Sequence, residues 1–241
     1  MKILITNDDG IYAEGMIPLA KWAQKLGDVT VVAPKTEQSA KSHAIELRQA
    51  FEVKEVSLCP GIRAFSVDST PADCVRFAHF GLKEHFDLVI SGINRGLNVG
   101  ADIMYSGTVA AAFEASNLGM TAIALSTPPS YYPEAVKELD AVFAYVREHR
   151  LLDTYSMYNI NIPENPQGFR LTCQGGPYYS DDFVFQEDGT VLPKGKSVFV
   201  PSETMERDTD AVLIGHYISI MPLANTRANL EVLQKLQHLN P

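Results

Sequence analysis

The sequence predicts an α/β fold: a doubly wound, mostly parallel sheet between two layers of helices, followed by a β-rich extension and a final helix. Three observations lead to this prediction. Short, β-branched apolar runs alternate with segments of helical periodicity over roughly the first 150 residues. Glycine- and proline-rich connections separate the later runs. The chain has 241 residues, of which 46% are hydrophobic, enough to bury a substantial core.

The first half of the chain supplies most of the predicted sheet. Residues 3–6 are a β-branched run that ends in Asn-Asp-Asp-Gly, and residues 15–26 carry apolar side chains at helical spacing. Residues 29–33 are almost wholly apolar and end at Pro34, as expected for a strand covered on both faces. The remaining predicted elements are a helix capped by Thr70 with Pro71 at its first position, strands at 87–91 and 121–125, and helices at 108–118 and 133–148.

This order of elements predicts a Rossmann-like, three-layer αβα core over residues 1 to about 155. Ligands of such sheets bind beyond the carboxyl ends of the strands. The loops that follow the first, second and third predicted strands therefore lie on the edge where a ligand is expected.

The composition and periodicity of the sequence change from residue 157 onward. Alternating runs at 182–186, 197–200 and 217–221 predict antiparallel hairpins that extend the core or reach a partner subunit. Residues 225–239 carry leucines at helical spacing and predict an amphipathic final helix. We therefore predict a single domain over residues 1–241, in which about 156–241 form the β-rich arm and C-terminal helix.

Composition excludes several classes of protein. Lys and Arg number 20 against 29 Asp and Glu, a formal charge of −9 that does not favour nucleic-acid or anionic-membrane binding. The N-terminal apolar run is too short for a signal peptide, and no run approaches the ~20 residues of a membrane span. Cys59, Cys74 and Cys173 lack the spacing of a disulfide framework or a zinc site. We expect a cytoplasmic protein with reduced thiols.

Two adjacent carboxylates, Asp8 and Asp9, form the first candidate site. Like charges at a strand end repel each other, and their burial is unfavourable unless a cation or hydrogen bonds compensate. A divalent metal that prefers oxygen ligands would offset the negative charge of the pair and so permit its burial. Taken alone, Asn-Asp-Asp-Gly is at least as typical of a simple turn.

The second candidate is the segment 91–102, SGINRGLNVGAD, which follows an apolar predicted strand. Its glycines let the backbone approach a ligand closely, and the carbonyl of an asparagine such as Asn94 is a neutral metal ligand. The segment matches neither the GxGxxG fingerprint nor a Walker A motif. The alternative interpretation is a series of tight turns.

The third candidate is Ser106-Gly107-Thr108, which opens a predicted helix. The first backbone N–H groups of a helix lack internal partners and can receive a phosphate. An isolated Ser-Gly-Thr is more often a simple helix cap. Ser39, in the loop after the second strand, offers a hydroxyl on the same edge of the sheet, although that loop alone is typical of a solvated surface. His43 is the histidine nearest in sequence, and no histidine has a recognisable catalytic spacing.

Together these motifs resemble the SurE family, stationary-phase survival proteins that act as nucleoside monophosphate phosphatases. The resemblance rests on ILITNDDG at 3–10, VVAP at 31–34, SGINRGLNVGAD at 91–102 and YSGTVAAA at 105–112. Weaker similarities at 70–74 and 209–223 extend it over nearly the whole chain. By this resemblance the family's metal ligands fall on Asp8, Asp9, Ser39 and Asn94, and its phosphate-contacting residues fall on Asn98, Ser106, Gly107 and Thr108.

The resemblance implies a 5′-nucleotidase that hydrolyses nucleoside monophosphates, with short polyphosphate as a candidate second substrate. It implies one divalent ion per subunit, Mg²⁺ or Mn²⁺ with Ca²⁺ as an alternative, held at Asp8 and Asp9, where it activates a water. It also implies a C-terminal arm that exchanges between subunits of a homodimer or homotetramer. The chain departs from the family pattern in three places: Ala40 stands where the family has a glycine, Met221 stands where it has a threonine, and the family has a hydroxyl residue near Glu46.

Three alternatives fit parts of the pattern. A haloacid-dehalogenase-like phosphatase needs Asp-x-Asp after its first strand, whereas the acids here are adjacent. A response-regulator-like switch also clusters acids at that point, but it is much shorter and gives the segments 91–102 and 106–108 no role. A non-catalytic metal- or nucleotide-binding module stays open, and nucleotide binding without phosphate release would select it.

Overall fold

A computed structural model of the chain describes residues 1–202, 204–226 and 228–239. Its strands are β1 (Lys2–Thr6), β2 (Asp28–Pro34), β3 (Val53–Val56), β4 (Arg63–Val67), β5 (Leu88–Arg95), β6 (Thr121–Thr127), β7 (Met157–Asn161), β8 (Phe169–Leu171), β9 (Tyr179–Ser180), β10 (Phe183–Phe185), β11 (Val191–Pro193), β12 (Lys196–Ser197) and β13 (Ile218–Pro222). Its helices are α1 (Met16–Ala23), α2 (Pro71–Arg76), α3 (Gly107–Asn117), α4 (Leu139–Glu148), α5 (Leu151–Thr154), α6 (Asp208–Leu213) and α7 (Leu230–Leu236).

The main sheet has nine strands in the order β3-β4-β2-β1-β5-β6-β7-β13-β8. The six strands from β4 to β7 in this order are parallel, whereas β3 and β13 run antiparallel to their neighbours β4 and β7. Strand order reverses at β1, which pairs with β2 on one side and with β5 on the other. Thr6 at the end of β1 is in register with Ser91 of β5. The loops after β1 and β5 therefore leave the sheet at its topological switch point, where such folds bind ligands.

Helices cover both faces of the sheet. Alternation along β1 directs Ile3 and Ile5 to one face and Leu4 to the other, because successive side chains of a strand point to opposite sides. On the first face lie α1 and α4, which contribute Leu19 and Val142 to the core. The second face is covered by α2 and α3, whose buried residues include Val75, Val109 and Ala112. The predicted three-layer α/β fold is confirmed.

Several element boundaries differ from the sequence prediction. The strand predicted at 87–91 continues to Arg95, so Asn94 lies in β5 rather than in a loop. The helix predicted at 133–148 starts as a 3₁₀ turn, Glu134–Glu138, which has no side-chain cap, and becomes α-helical only at Leu139. Strands β3 and β4 were not predicted. Residues of β3 are half-buried or exposed at the edge of the sheet, so they lack the continuous apolar run of a central strand.

The main sheet continues beyond residue 155, because β7, β8 and β13 all belong to it. The runs predicted at 182–186 and 217–221 correspond to β10 and β13, whereas at 197–200 the strand β12 includes only the first residue. Within the final helix predicted at 225–239, α7 is followed by a 3₁₀ turn, Gln237–Leu239, and residue 227 lies outside the described residues. The oligomerisation role of residues 156–241 stays a prediction.

Candidate active site

A cavity of about 820 Å³ opens beyond the carboxyl ends of β1, β2 and β5. Six of the eight predicted site residues line it: Asp8, Asp9, Ser39, Asn94, Asn98 and Ser106. The other two, Gly107 and Thr108, are buried and pack against Asp8 at the start of α3. The structure therefore brings all eight together at one edge of the sheet.

The acidic turn after β1 is held by its own hydrogen bonds. The Asn7 side-chain Nδ2 donates to the Gly10 carbonyl at 2.9 Å, and the Gly10 N–H donates to Asn7 Oδ1 at 3.1 Å. Gly10 has a φ of +106°, which glycine adopts without the steric cost of a Cβ. The Gln38 N–H donates to the Asp8 carbonyl at 2.7 Å and so ties the loop after β2 to this turn. The segment is thus a turn, as the alternative interpretation of its sequence held, and it also forms part of the cavity wall.

Asp8 is a buried acid, only 5% exposed, at the N-terminal end of α3. Its Oδ1 accepts a hydrogen bond from the Thr108 hydroxyl. Burial raises the pKa of Asp8 to about 6, the Thr108 hydroxyl opposes the rise, and the Asp9 carboxylate adds to it. Gly107 permits the close approach, because a Cβ on Gly107 would lie 2.9 Å from Asp8 Cβ. A positive partner would stabilise the ionised acid, and the positive end of α3 supplies part of that charge.

Asp9 is more accessible and lies between a donor and another acid. Its Oδ2 accepts a hydrogen bond from the backbone N–H of Arg95 at 3.1 Å. Burial raises the pKa of Asp9, the Arg95 N–H opposes the rise, and the negative charge of Glu37 adds to it. Glu37 also accepts a 2.5 Å hydrogen bond from Ser39 Oγ. Because the Ser39 proton is directed to Glu37, the lone pairs of its oxygen remain available to a ligand.

Two asparagines, Asn94 and Asn98, complete this part of the cavity wall. Asn94 Nδ2 donates to the Gly96 carbonyl at 2.8 Å, which leaves its Oδ1 as the atom able to bind a cation. Asn98 is buried, and its carbonyl accepts from the side-chain amides of Asn159 at 2.8 Å and Asn161 at 2.9 Å. Its N–H donates to Asn161 Oδ1 at 2.8 Å. Residues at the end of β7 thus fix the backbone of Asn98.

The start of α3 presents backbone N–H groups that the helix itself cannot pair. Ser106 is the N-cap, and its Oγ accepts from the Val109 N–H at 3.0 Å. The Ser106 N–H itself donates to the Ile103 carbonyl at 3.2 Å. Gly107 and Thr108 occupy the first two helical positions, whose N–H groups receive no partner from the helix. The backbone N–H of Thr108 also donates toward the Asp8 carboxylate. Among the predicted phosphate contacts, the backbone N–H of Gly107 therefore suits a phosphate better than the Ser106 N–H.

The three departures from the family pattern lie in different local environments. Ala40 lies in the left-handed region with a φ of 57°, a conformation that glycine adopts at lower steric cost. Glu46 Oε1 accepts from the N–H groups of Arg48 and Gln49 at 2.7 and 2.9 Å, so it stabilises its own turn. Met221 is buried in the core beneath the second helical layer. Neither Glu46 nor Met221 lines the cavity.

Sequence reasoning missed a further part of the cavity wall. It contains five tyrosines and four additional acids: Tyr12, Tyr105, Tyr132, Tyr178, Tyr179, Glu14, Glu37, Asp102 and Asp181. Arg95 is the one cationic residue in the wall among the described residues. Asp102 closes the 91–102 motif and was visible in the sequence. The residues from 178 onward come from the β-rich extension, and no local signal links them to the cavity.

Fold and site together define a three-layer α/β protein with a carboxylate-rich cavity at the switch point of its sheet. The sequence model of the family described as "Survival protein SurE" matches residues 3–181. The chain belongs to the SurE family, as the resemblance indicated.

Similar proteins agree with this assignment over almost the full length. A protein of Thermosipho melanesiensis named 5′-nucleotidase SurE is 36% identical over 250 residues, which cover 98% of this chain and 96% of the relative. A Clostridium beijerinckii protein of the same name is 42% identical over 236 residues, 92% of each chain. The crystal structure of the SurE protein from Aquifex aeolicus matches with a TM-score of 0.80 at 29% identity and covers 100% of both chains.

Proposed function

We propose that this chain is a divalent-metal-dependent 5′-nucleotidase that hydrolyses nucleoside 5′-monophosphates to nucleoside and phosphate. The observation that carries the proposal is the contact between an acidic pair and the start of a helix. Asp8 accepts a hydrogen bond from Thr108, the second residue of α3, while Asp9 lines the same cavity. The relatives named 5′-nucleotidase SurE, at 36% and 42% identity, support the reaction class.

The donor set at the cavity fits one divalent ion. Asp8 and Asp9 supply carboxylates, and Ser39 and Asn94 supply neutral oxygens, a set that suits Mg²⁺ or Mn²⁺, with Ca²⁺ as an alternative. Among the described residues, no group of three or more His, Cys, Asp or Glu is placed to hold an ion; the proposed set contains two. Burial raises the pKa of both acids, and a cation would favour their ionised forms. Such an ion, when bound, acts as a Lewis acid on the phosphate and acidifies water.

The chain's own donors would bind and orient the phosphate. The N–H groups of Gly107 and Thr108 lie at the positive end of α3, where anions are stabilised. The side-chain Nδ2 of Asn98 donates one N–H to Ser126 Oγ at 2.7 Å, and its second N–H would add a further donor from a backbone that β7 holds in place. Donors fixed before the reaction stabilise charge as it shifts in the transition state, and losing one costs ~10² to 10³ in turnover.

We infer that water, rather than Asp8 or Asp9, attacks phosphorus. A carboxylate nucleophile must be free to approach phosphorus directly. Here the Thr108 hydroxyl binds Asp8, and the Arg95 N–H binds Asp9. Acid-quenched reactions examined by mass spectrometry should therefore contain no phospho-aspartate. A phosphorylated Asp8 or Asp9 would overturn this part of the proposal.

Phosphate release in the presence and absence of metal tests the proposal. Wild-type protein should release phosphate from nucleoside 5′-monophosphates with Mg²⁺ or Mn²⁺ and not with EDTA. Asp8→Asn removes one ligand charge and should lower kcat/KM by about 100-fold or more. Asp188→Asn, an exposed acid in the β10–β11 turn, serves as the matched control. If folded wild type binds nucleotide but releases no phosphate with any metal, the protein is a non-catalytic binding module and the proposed activity is wrong. 3′-Nucleotides and short polyphosphate in the same assay set the substrate range.

We further propose that the protein forms a homodimer or homotetramer in the cytoplasm. The β10–β11 hairpin exposes large apolar side chains, including Phe185 and Leu192, as surfaces that meet another subunit do. The three cysteines are free thiols, in keeping with a reducing compartment. Over the described ranges, none of the helices has the length and apolar character needed to cross a membrane.

A further inference from the structure

The last residue of the 91–102 motif, Asp102, has no part in the proposed metal and phosphate contacts. Its Oδ2 accepts hydrogen bonds from the backbone N–H groups of Tyr178 and Tyr179, at 3.1 and 2.8 Å. Both tyrosines belong to residues 173–181, which we call the strap. Asp102 therefore fastens the strap to the helical turn that leads into α3.

A second acid fastens the other end of the strap. Asp208 is fully buried, and its two oxygens accept from the N–H groups of Gly100 at 2.9 Å and Gly175 at 2.7 Å. Close by, the Ala101 N–H donates to the Gly176 carbonyl at 3.1 Å. A Cβ on Gly100 would lie 2.2 Å from that carbonyl oxygen, so a side chain would force the strap away. The final glycine and the final acid of the motif thus both contact the strap.

The strap adds an aromatic wall to the cavity. Tyr178 and Tyr179 line the same cavity as Asp8 and Ser106. Tyr179 is 52% exposed, and the two ring centroids lie 5.3 Å apart with the planes at 81°. A cavity of about 820 Å³ has room for more than a phosphate group. Tyrosine rings bind flat, unpaired bases by stacking, and the interaction tolerates every base.

We propose that Asp102 is a positioning residue for substrate selection. By holding the strap it places Tyr178 and Tyr179 where they contact the nucleobase, so nucleotides are favoured over phosphomonoesters that lack a base. This inference rests on the proposed 5′-nucleotidase function and adds the recognition of the nucleoside to it. Because stacking tolerates every base, the preference concerns the presence of a base more than its identity.

The test compares adenosine 5′-monophosphate with ribose 5-phosphate, the same ester without its base. The measured quantity is the ratio of the two kcat/KM values in the full chain with Mg²⁺ or Mn²⁺. Tyr178→Ala and Tyr179→Ala should each lower this ratio about tenfold, chiefly through KM for the nucleotide. Asp102→Ala should lower the ratio as well, and Asp102→Asn, which keeps one acceptor oxygen, should restore part of it.

Tyr155→Ala is the matched control, because Tyr155 is partly exposed and lies outside the cavity wall; its ratio should equal that of wild type. An unchanged ratio in Tyr178→Ala and Tyr179→Ala, or an equal loss on both esters, would overturn the inference alone. If Asp102→Ala does not fold, the kcat/KM ratios of Tyr178→Ala and Tyr179→Ala decide whether the strap recognises the base. A wild type that releases phosphate from neither ester overturns the proposed function, and this inference with it.

Discussion

At the scale of single residues, the geometry of the site depends on how closely Asp8 approaches α3. Gly107 is the first residue of that helix, and a Cβ there would lie 2.9 Å from Asp8 Cβ and 3.1 Å from Pro71 Cγ. Pro71 is itself buried at the start of α2. An added methyl group therefore cannot move toward α2 and must displace the acid.

Gly107→Ala should impair catalysis more than folding. Alanine favours a helix by about 0.5–1 kcal/mol over glycine, which offsets part of the crowding. A displaced Asp8 should lower kcat by about 10- to 100-fold, since misplacement within a catalytic site by about 1 Å has effects of this size. Asn117→Ala, an exposed change at the far end of α3, should leave kcat unchanged. Wild-type kcat and metal affinity in Gly107→Ala would show that Asp8 need not contact the helix start.

At the scale of elements, a charged cluster fastens the loop that carries Ser39 to the helices. His43 Nε2 lies 2.8 Å from Glu114 Oε2 on α3, and Arg76 Nη1 on α2 donates to Glu114 Oε1 at 3.1 Å. The hydrogen bond from His43, together with Arg76, lowers the pKa of the buried Glu114. Ionised Glu114 thus joins three elements around the site.

Glu114→Gln should destabilise the protein in a pH-dependent way. Hydrogen bonds to a charged group contribute about 1.5–3 kcal/mol, so the free energy of unfolding at pH 7 should fall by roughly that amount. Because the pKa of Glu114 is lower in the folded chain than the ordinary value of about 4.3, its stabilisation is present above that value and is lost as pH falls through the folded pKa. Urea unfolding should therefore show the difference between wild type and Glu114→Gln shrinking as the pH falls below about 4.3.

Glu148→Gln, an exposed change at the end of α4, is the control and should leave stability unchanged at each pH. A difference between wild type and Glu114→Gln that is equally large at every pH would mean that lost packing, rather than lost charge, weakens the variant.

The elements differ in how far the sequence predicts them. The central strands β1, β2, β5 and β6 are continuous apolar runs, because both of their faces are covered by helices. Strand β7 is just as buried, yet Asn159 and Asn161 interrupt its apolar pattern. These amides face Asn98, so their polarity serves the site rather than the core. Strand β3 pairs only with β4 at the sheet edge, where polar residues such as Lys54 are tolerated.

The residues of the candidate site also differ in how far the sequence predicts them. Asp8, Asn94 and Ser106 stand in short motifs whose chemistry is local: an acidic turn, a glycine-rich strand end and a helix cap. The strap carrying Tyr178 and Tyr179 is held at the cavity by Asp102, by Asp208 and by the hydrogen bond from Ala101 to Gly176. Such contacts depend on how distant segments pack, and no local periodicity encodes them.

At the scale of the whole molecule, one segment has no core of its own. The β10–β11 hairpin pairs Phe183 with Pro193 and Phe185 with Val191, and these strands form a separate two-stranded sheet. Phe183, Phe185 and Leu192 are 56%, 83% and 53% exposed. An isolated two-stranded hairpin is at best marginally stable in water. A second copy of the chain would bury these side chains and stabilise the hairpin.

Sedimentation velocity measures whether the hairpin holds subunits together. Wild type should sediment as a dimer or tetramer, and the double variant Phe185→Ser, Leu192→Ser should shift toward the monomer, because burial of each such side chain contributes about 1.5–3 kcal/mol to association. Glu187→Ser, a polar change in the same hairpin's turn, should keep the wild-type assembly. The proposed metal and phosphate ligands lie outside the hairpin, so phosphate release by the double variant would separate assembly from chemistry. A wild type that sediments as a monomer at micromolar concentration would leave the apolar hairpin without its proposed partner.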